Sequence, residues 1–298
     1  MRAGARSLSE SRARAGAVLV SPAVVLIVTA ALLPLLRTFL LSVSDARLDA
    51  PGTSRFIGLQ NFALLARDPL FWDAAGHTAL FTIASVSLET CLGLALALVL
   101  HGRFRGRGWM RAAALIPWAI PTVVSAQLWK FMLNDAYGVV NDLGLRLGLL
   151  NEPVAWLAAP GLAMASVVAV DVWKTTPFVA LLVLAGLQTV PVELHEAAQV
   201  DGAGRWERFR RVTLPLILPT LLVAMLFRTM DAIRVFDVIY VMTLGSVGTE
   251  SMATYCRRLL VDFQDLGYGS ACSVAIFLLV GSVSAVYAVL LARRERAR

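Results

Sequence analysis

Long apolar stretches alternate along the whole chain with short polar segments rich in arginine. About 20 apolar residues in a helix cross the hydrocarbon core of a bilayer. Six segments reach that length, over residues 18–41, 78–100, 111–133, 162–189, 216–242 and 270–291. The pattern predicts an all-α membrane protein with six transmembrane helices, and an even number of crossings places both termini on one side. Without an internal repeat or a low-complexity linker, residues 1–298 read as one membrane domain.

Composition supports this reading: 58% of the residues are hydrophobic and 16% charged, well short of the quarter charged that is usual in soluble domains. Arg2, Arg6, Arg12 and Arg14 precede the first apolar run, residues 15–41. That run exceeds the roughly 7–15 apolar residues of a secretory signal, so it is expected to stay as the first span. The net charge of +7 and isoelectric point near 9.9 come from arginines clustered between apolar runs. This placement suits anionic lipid and control of topology, not nucleic acid. Four basic residues sit in each of the N-terminal tail, the 103–111 hinge, the 205–211 loop and the C-terminal tail; the intervening loops carry seven in all. Cytoplasmic loops retain positive charge, so both termini and the 191–215 insert are expected in the cytoplasm, in a bacterial-type cell membrane. Trp72, Tyr137 and Trp156 fall in the opposite loops and suit an interfacial belt.

Cys91, Cys256 and Cys272 show no C-x-x-C spacing, and His77, His101 and His195 have no metal-ligand neighbours at suitable spacing. Neither a disulfide framework nor a metal site is expected. The phosphate-cradling G-x-x-x-x-G-K-[ST] is missing from the sequence, so this chain is not expected to hydrolyse ATP by that route.

The insert between the fourth and fifth spans has a helical design of its own. Pro191 can open a short helix, Glu193 and Glu196 suit its positive end, and Gly202 permits the left-handed turn that closes it. A second helix is expected from Gly204 or Arg205 until just before Pro215, with Trp206, Phe209 and Val212 on one face. Two short helices bent at Gly202, with small Ala197 and Ala198 between carboxylates, form a knob able to seat in a partner's groove. An amphipathic helix lying on the lipid surface is the other reading.

Charges inside spans cost about 2.5–3.5 kcal/mol each on insertion scales and normally face a cavity or a partner. Asp171 and Lys174 lie one helical turn apart, close enough to pair. Arg228, Asp231, Arg234 and Asp237 recur every third residue on the predicted fifth span, with Tyr240 next in the series, so one helix would hold them on a broad face. Such a stripe suits either an internally paired ladder or a watery path whose charges bond sugar hydroxyls. Arg37 can snorkel, and Pro117, Pro121 and Pro177 are expected to kink their helices.

Glu196-Ala197-Ala198, Asp201-Gly202-Ala203, Phe209 and Leu214-Pro215 resemble the EAA loop of the membrane subunits of binding-protein-dependent ABC importers, which inserts into the ATP-binding subunit. The resemblance runs nearly end to end and is to the carbohydrate-uptake type, similar to the first permease of trehalose and maltose importers. It is carried by Ile116-Pro117-Trp118-Ala119-Ile120-Pro121, Tyr137-Gly138-Val139-Val140-Asn141, Trp173-Lys174-Thr175-Thr176-Pro177-Phe178, residues 236–243 and residues 267–271. The stretch Leu244-Gly245-Ser246-Val247-Gly248 departs from the Gly-Gly-Pro turn usual there.

The resemblance implies a type I importer permease that binds no cofactor of its own, with ATP and Mg held by a partner ATPase. Glu196, Ala197, Ala198, Asp201, Gly202, Ala203, Trp206, Phe209, Leu214 and Pro215 would couple to that ATPase dimer. The fifth span would border the substrate path, giving Asp171, Lys174, Arg228, Asp231, Arg234, Asp237 and Tyr240 a path or gate role. A second permease subunit, unlike this one in sequence by that analogy, an extracytoplasmic sugar-binding protein and a di- or oligosaccharide would complete the system. Alternatives are a permease for another polar solute such as glycerol-3-phosphate, a proton-driven secondary transporter, or a membrane-embedded lipid enzyme. The last usually needs a D-D-x-x-D or H-x-x-x-H cluster, which the sequence lacks.

Overall fold

A computed structural model describes residues 2–102, 104–246 and 248–296. Arg103, Val247 and Arg298, which figured in the sequence reading, lie outside the described residues. The helices are α1 (Arg2–Ile27), α2 (Leu33–Ser42), α3 (Gln60–Leu65), α4 (Pro69–His101), α5 (Arg107–Ala119), α6 (Thr122–Met132), α7 (Val139–Arg146), α8 (Leu162–Gln188), α9 (Val192–Val200), α10 (Arg205–Arg208), α11 (Leu214–Ile233), α12 (Asp237–Thr243), α13 (Met252–Arg257) and α14 (Leu266–Arg296). Among the described residues, five helical stretches are long and apolar enough to cross a membrane: Gly16–Ser42, Pro69–His101, Leu162–Gln188, Arg205–Ile233 and Leu266–Arg293. The bent pair α5 and α6 is a sixth candidate.

Three of the expected spans have different shapes. The third is two helices meeting at 88°. Pro121 disfavours the helical region for the residue before it, and Ile120 is extended, with φ −74° and ψ 134°. By contrast, Pro117 is carried inside α5. The fifth expected span, residues 216–242, starts earlier and stops earlier. Its helix begins at Arg205, runs through Pro215 and ends at Ile233; α12 follows as a separate short helix. Pro215 does not end the second insert helix because a π turn, Phe209–Thr213, widens the backbone just before it, with the Leu214 N–H donating to the Phe209 carbonyl. A similar π turn, Val28–Leu32, interrupts the first span ahead of Pro34.

The chain divides into two compact units. One comprises residues 1–67 and 258–275. Here the Asn61 amide donates to the carbonyls of Ser42 (3.0 Å) and Ser44 (2.9 Å), fixing the chain's exit from α2. The Gly267 N–H donates to the Ala46 carbonyl at 2.8 Å, and a side chain at 267 would come within 2.1 Å of the Ser44 carbonyl oxygen. Only glycine permits that approach.

The other unit, residues 68–257 and 276–298, is a helical bundle with α8 at its centre. In the most apolar window of α8, 72% of the residues are buried, against 33% in α4 and 28% in the stretch containing α11. Close helix approach rests on two glycines. A methyl group at Gly93 of α4 would meet Val179 at 2.7 Å, and one at Gly186 of α8 would meet Thr220 of α11 at 2.9 Å. Small residues let packed membrane helices come together in this way.

Among the described residues, apolar clusters fill the bundle. Phe81, Val167, Val170, Ala232 and Ile239 belong to one; Ala97, Val179, Val183, Ile217 and Ala224 belong to another. On α4, α8 and α11 alike, a charged residue falls between the segments that supply these clusters: Glu89, Lys174 and Arg228, with Asp171 at the edge of the first segment on α8.

Candidate functional site

Arg228 is the centre of that charged layer. Its side chain is 4% exposed, and Glu89 is fully buried. Both Glu89 oxygens accept from the guanidinium, Oε2 from Nε and Oε1 from Nη2 at 2.9 Å. Nη2 also donates to Asp171 Oδ2 at 2.9 Å, and Nη1 to Asp231 Oδ2 at 2.6 Å. Thr175 donates to Glu89 Oε1 at 2.5 Å. The planar guanidinium, with five N–H donors, suits this role because it can serve several carboxylates at fixed angles. Glu89 of α4, Asp171 and Thr175 of α8, and Arg228 of α11 thereby tie the three helices together within an apolar bundle, with Asp231 beside Arg228 on α11.

This arrangement corrects the expected Asp171–Lys174 pair, because the Asp171 carboxylate is turned to Arg228. Lys174 is itself 8% exposed. The predicted stripe is also broken. Arg228 and Asp231 lie on α11, Arg234 is the residue that closes it, and Asp237 and Tyr240 are on α12. Arg234 has φ −98° and ψ 19°, leaving the helix, and its Nε donates back to the Met230 carbonyl at 3.2 Å. The ladder of alternating charges is therefore confined, among the described residues, to the Arg228–Asp231 bridge. Tyr240 stacks on Phe236 at 5.1 Å between ring centroids and receives the Arg257 guanidinium over its ring at 4.9 Å.

The break between α11 and α12 opens a cavity of about 310 Å³. Asp171, Lys174, Arg228, Asp231, Arg234 and Asp237 all line it, so six of the seven predicted path residues meet at one place. Phe81, Trp118, Thr122, Thr175 and Phe236 complete its polar and aromatic wall. A second cavity, about 360 Å³, shares Trp118, Thr175, Arg228, Asp231 and Arg234 with the first. Trp118 stacks on Phe178 at 5.8 Å beside both. Such a site can offer N–H donors, carboxylate acceptors and aromatic faces to a polar solute within an otherwise apolar bundle.

Glu89 and Trp118 escaped the reading of the sequence as site residues. Glu89 is an isolated charge in an apolar span, and that alone is a signal, since an intramembrane carboxylate needs a partner. Trp118 stood in a quoted motif, but nothing in its spacing marked it as facing a cavity.

The insert forms a compact elbow. Pro191 stands just before α9 with φ −61°, one residue earlier than a first helical position. At the other end, Gly202 adopts φ +82°. The Ala203 N–H donates to the Ala198 carbonyl at 2.9 Å and the Gly202 N–H to the Gln199 carbonyl at 3.1 Å. This pair of bonds is the Schellman closure that a left-handed glycine allows. Arg208 Nη1 donates to Gln199 Oε1 at 3.0 Å, bracing α10 against α9, and Arg211 bridges Glu207 at 3.0 Å. Trp206 and Phe209 stack at 5.5 Å, with Trp206 72% exposed. Glu196, Ala197, Asp201 and Gly202 are likewise exposed, whereas Ala198, Ala203, Phe209 and Leu214 are half-buried.

The fold matches that of a bacterial ABC transporter subunit in a crystal structure described as involved in import of the acidic polysaccharide alginate, with a TM-score of 0.84 over 97% of this chain and 99% of that one, at 22% sequence identity. Among sequence relatives, the trehalose/maltose transport system permease MalF of Thermococcus litoralis is 44% identical, covering 94% of each chain. The trehalose transport system permease SugA of Mycobacterium tuberculosis is 41% identical over 90% of this chain and 86% of its own. The sulfoquinovosyl glycerol transport system permease SmoG of Agrobacterium fabrum is 40% identical over 90% of this chain and 87% of its own. Residues 89–296 match the family of binding-protein-dependent transport system inner membrane components. The chain belongs to that family, as a non-catalytic, multi-pass permease subunit of an ABC transporter.

Proposed function

We propose that the chain forms half of the translocation path of an ATP-driven importer for a di- or oligosaccharide of the trehalose or maltose kind. The observation that carries this reading is the cavity at the α11–α12 break, where hydrogen-bonding charges and the rings of Trp118 and Phe236 gather inside an apolar bundle. Sugars present hydroxyls to charged groups and apolar ring faces to aromatics, so this lining suits them. The transport names borne by the trehalose/maltose and trehalose permeases support the same class, while the third relative is named for sulfoquinovosyl glycerol.

In this reading the 191–215 elbow lies in the cytoplasm with both termini and docks on a separate ATP-binding subunit, which holds ATP and Mg. Closure of the ATPase pair moves the docked elbows, and the spans pass from inward-open to outward-open by population shift. A second permease, different in sequence, supplies the other half of the path, and an extracytoplasmic sugar-binding protein delivers the substrate. The braced elbow favours docking over a helix lying flat on lipid, because the Schellman turn and the Arg208–Gln199 bond make it a stiff knob.

Reconstitution of the chain with its partner permease, ATPase and binding protein in vesicles tests the proposal with a panel of labelled saccharides. ATP-dependent accumulation of a di- or oligosaccharide is expected. Uptake that persists without ATP and follows a proton gradient would overturn it in favour of a secondary transporter.

A further inference from the structure

Lys174 sits in a buried stretch of α8, and among the described residues no hydrogen bond or ion pair is found for its ammonium. It is 8% exposed, on the central helix α8, and lines the 310 Å³ cavity. Its expected partner, Asp171, is committed to Arg228. Asp231 is also bonded to Arg228, and Asp237 stands on the far side of the α11–α12 break. An ammonium on a residue that lines a cavity in an apolar bundle has three N–H donors to offer acceptor oxygens there, where few waters compete.

The charge around it selects the kind of acceptor. Among the residues lining the cavity, Asp171, Asp231 and Asp237 balance Lys174, Arg228 and Arg234, and Glu89, fully buried and bonded to Arg228, brings the formal sum to one net negative charge. Arg228, the cation best shaped to grip a phosphate, sulfonate or carboxylate, is already surrounded by three carboxylates. An anionic solute would face like charge with only Lys174 and Arg234 to answer it. Neutral hydroxyls pay no such repulsion, since each can accept from Lys174 and donate to Asp231 or Asp237.

Resting on the proposed path function, we infer that Lys174 is a substrate-contacting specificity residue: its ammonium donates to hydroxyl or ring oxygens of an uncharged sugar, in a site whose net negative charge rejects the anionic counterpart.

The test uses the assembled permease–ATPase complex in detergent, without the binding protein, titrated calorimetrically with trehalose, maltose and trehalose 6-phosphate. The wild-type complex is expected to bind a neutral disaccharide at least about tenfold more tightly than the phosphate, a difference of 1.4 kcal/mol. Lys174→Met should weaken the neutral sugar about tenfold, while Lys174→Gln, which keeps N–H donors but no charge, should recover part of that loss. Equal losses in both variants would assign Lys174 to charge balance in the bundle and overturn the inference. It would also be overturned by wild-type binding of the phosphate as tightly as the neutral sugar, by unchanged affinity in Lys174→Met, or by no sugar binding at all in a complex that still drives ATP-dependent saccharide uptake. A complex that transports no saccharide in vesicles would instead remove the function on which the inference rests. Elution of each variant as an intact complex separates loss of contact from loss of fold.

Discussion

Glu89 and Arg228 lie 139 residues apart in sequence and meet through both carboxylate oxygens, with Glu89 fully buried. A carboxylate and a guanidinium in such a place are compatible with the membrane only together. Breaking a buried ion pair by removing one member typically costs about 3–5 kcal/mol, because the survivor is left charged and unpaired. Glu89→Ala is expected to destabilise the bundle by an amount of that order, and Glu89→Gln by less, since an amide still accepts from Arg228. Arg228→Lys should do little better than an alanine, because an ammonium cannot span three carboxylates at the guanidinium's angles. Denaturant unfolding of the helical signal in mild detergent measures this, and unchanged midpoints for Glu89→Ala would separate the pair from stability.

Helix contact at Gly93 gives a second, sharper test because its control sits on the same helix. A methyl group at 93 would lie 2.7 Å from Val179. Overpacking of this sort typically costs about 1–3 kcal/mol. Gly76 has nothing within 4 Å of such a methyl group, so Gly76→Ala should be neutral or gain up to about 1 kcal/mol from helix propensity. Gly93→Ala is expected to lower stability, and Val179→Ala in the same chain to restore part of it. Equal effects of the two glycine substitutions would show that α4 and α8 do not depend on the close approach.

The contrast between these two sites also explains what could be read in the sequence. The apolar runs were legible because spanning a bilayer requires length and composition alone, and the elbow was legible because Pro191 and Gly202 act through local backbone chemistry. The α11–α12 break was not, since Val235–Met242 continues the apolar run past Arg234 with no proline to interrupt it. Pro215 misled in the opposite direction: a π turn absorbed it. The Asp171–Lys174 pair was inferred from spacing along one helix, whereas Asp171 found a stronger, bidentate-capable partner on another. Tertiary pairing of this kind has no periodic signature, so Glu89 could be flagged as an isolated charge but not assigned its partner.

Left-handed geometry at Gly202 makes the elbow sensitive to one substitution. Its φ of +82° lies where side chains with a branched Cβ clash with the backbone, while no neighbouring atom crowds a methyl group there. The penalty is therefore conformational, roughly 1–2 kcal/mol. Gly202→Val is expected to insert normally yet to reduce ATPase co-purification and ATP-driven uptake by about five- to thirtyfold. Gly202→Asn, which tolerates this region, should stay much closer to wild type. Full ATPase retention and full uptake in Gly202→Val would detach the elbow from coupling.

Arg234 and Asp237 allow the path to be separated from the scaffold. Both are exposed side chains at the edges of the α11–α12 break, and both line the cavity. Truncation of exposed side chains usually changes stability by no more than about 0.5 kcal/mol. Arg234→Ala and Asp237→Ala should therefore leave folding and ATPase docking intact. If their charges contact the solute, each substitution removes a charge-assisted hydrogen bond worth about 1.5–3 kcal/mol, so uptake should fall by roughly tenfold or more. Uptake rate and ATPase co-purification measured on the same preparations distinguish the cases. Normal uptake in both variants would withdraw the α11–α12 break from the solute path, while a parallel loss of ATPase would place these residues in transmission of the coupling movement. The elbow and the cavity are joined by a single helical run, from Arg205 through the π turn to Ile233. A rigid connection of that kind can carry displacement from one end to the other, which is why both measurements are needed on every variant at the break.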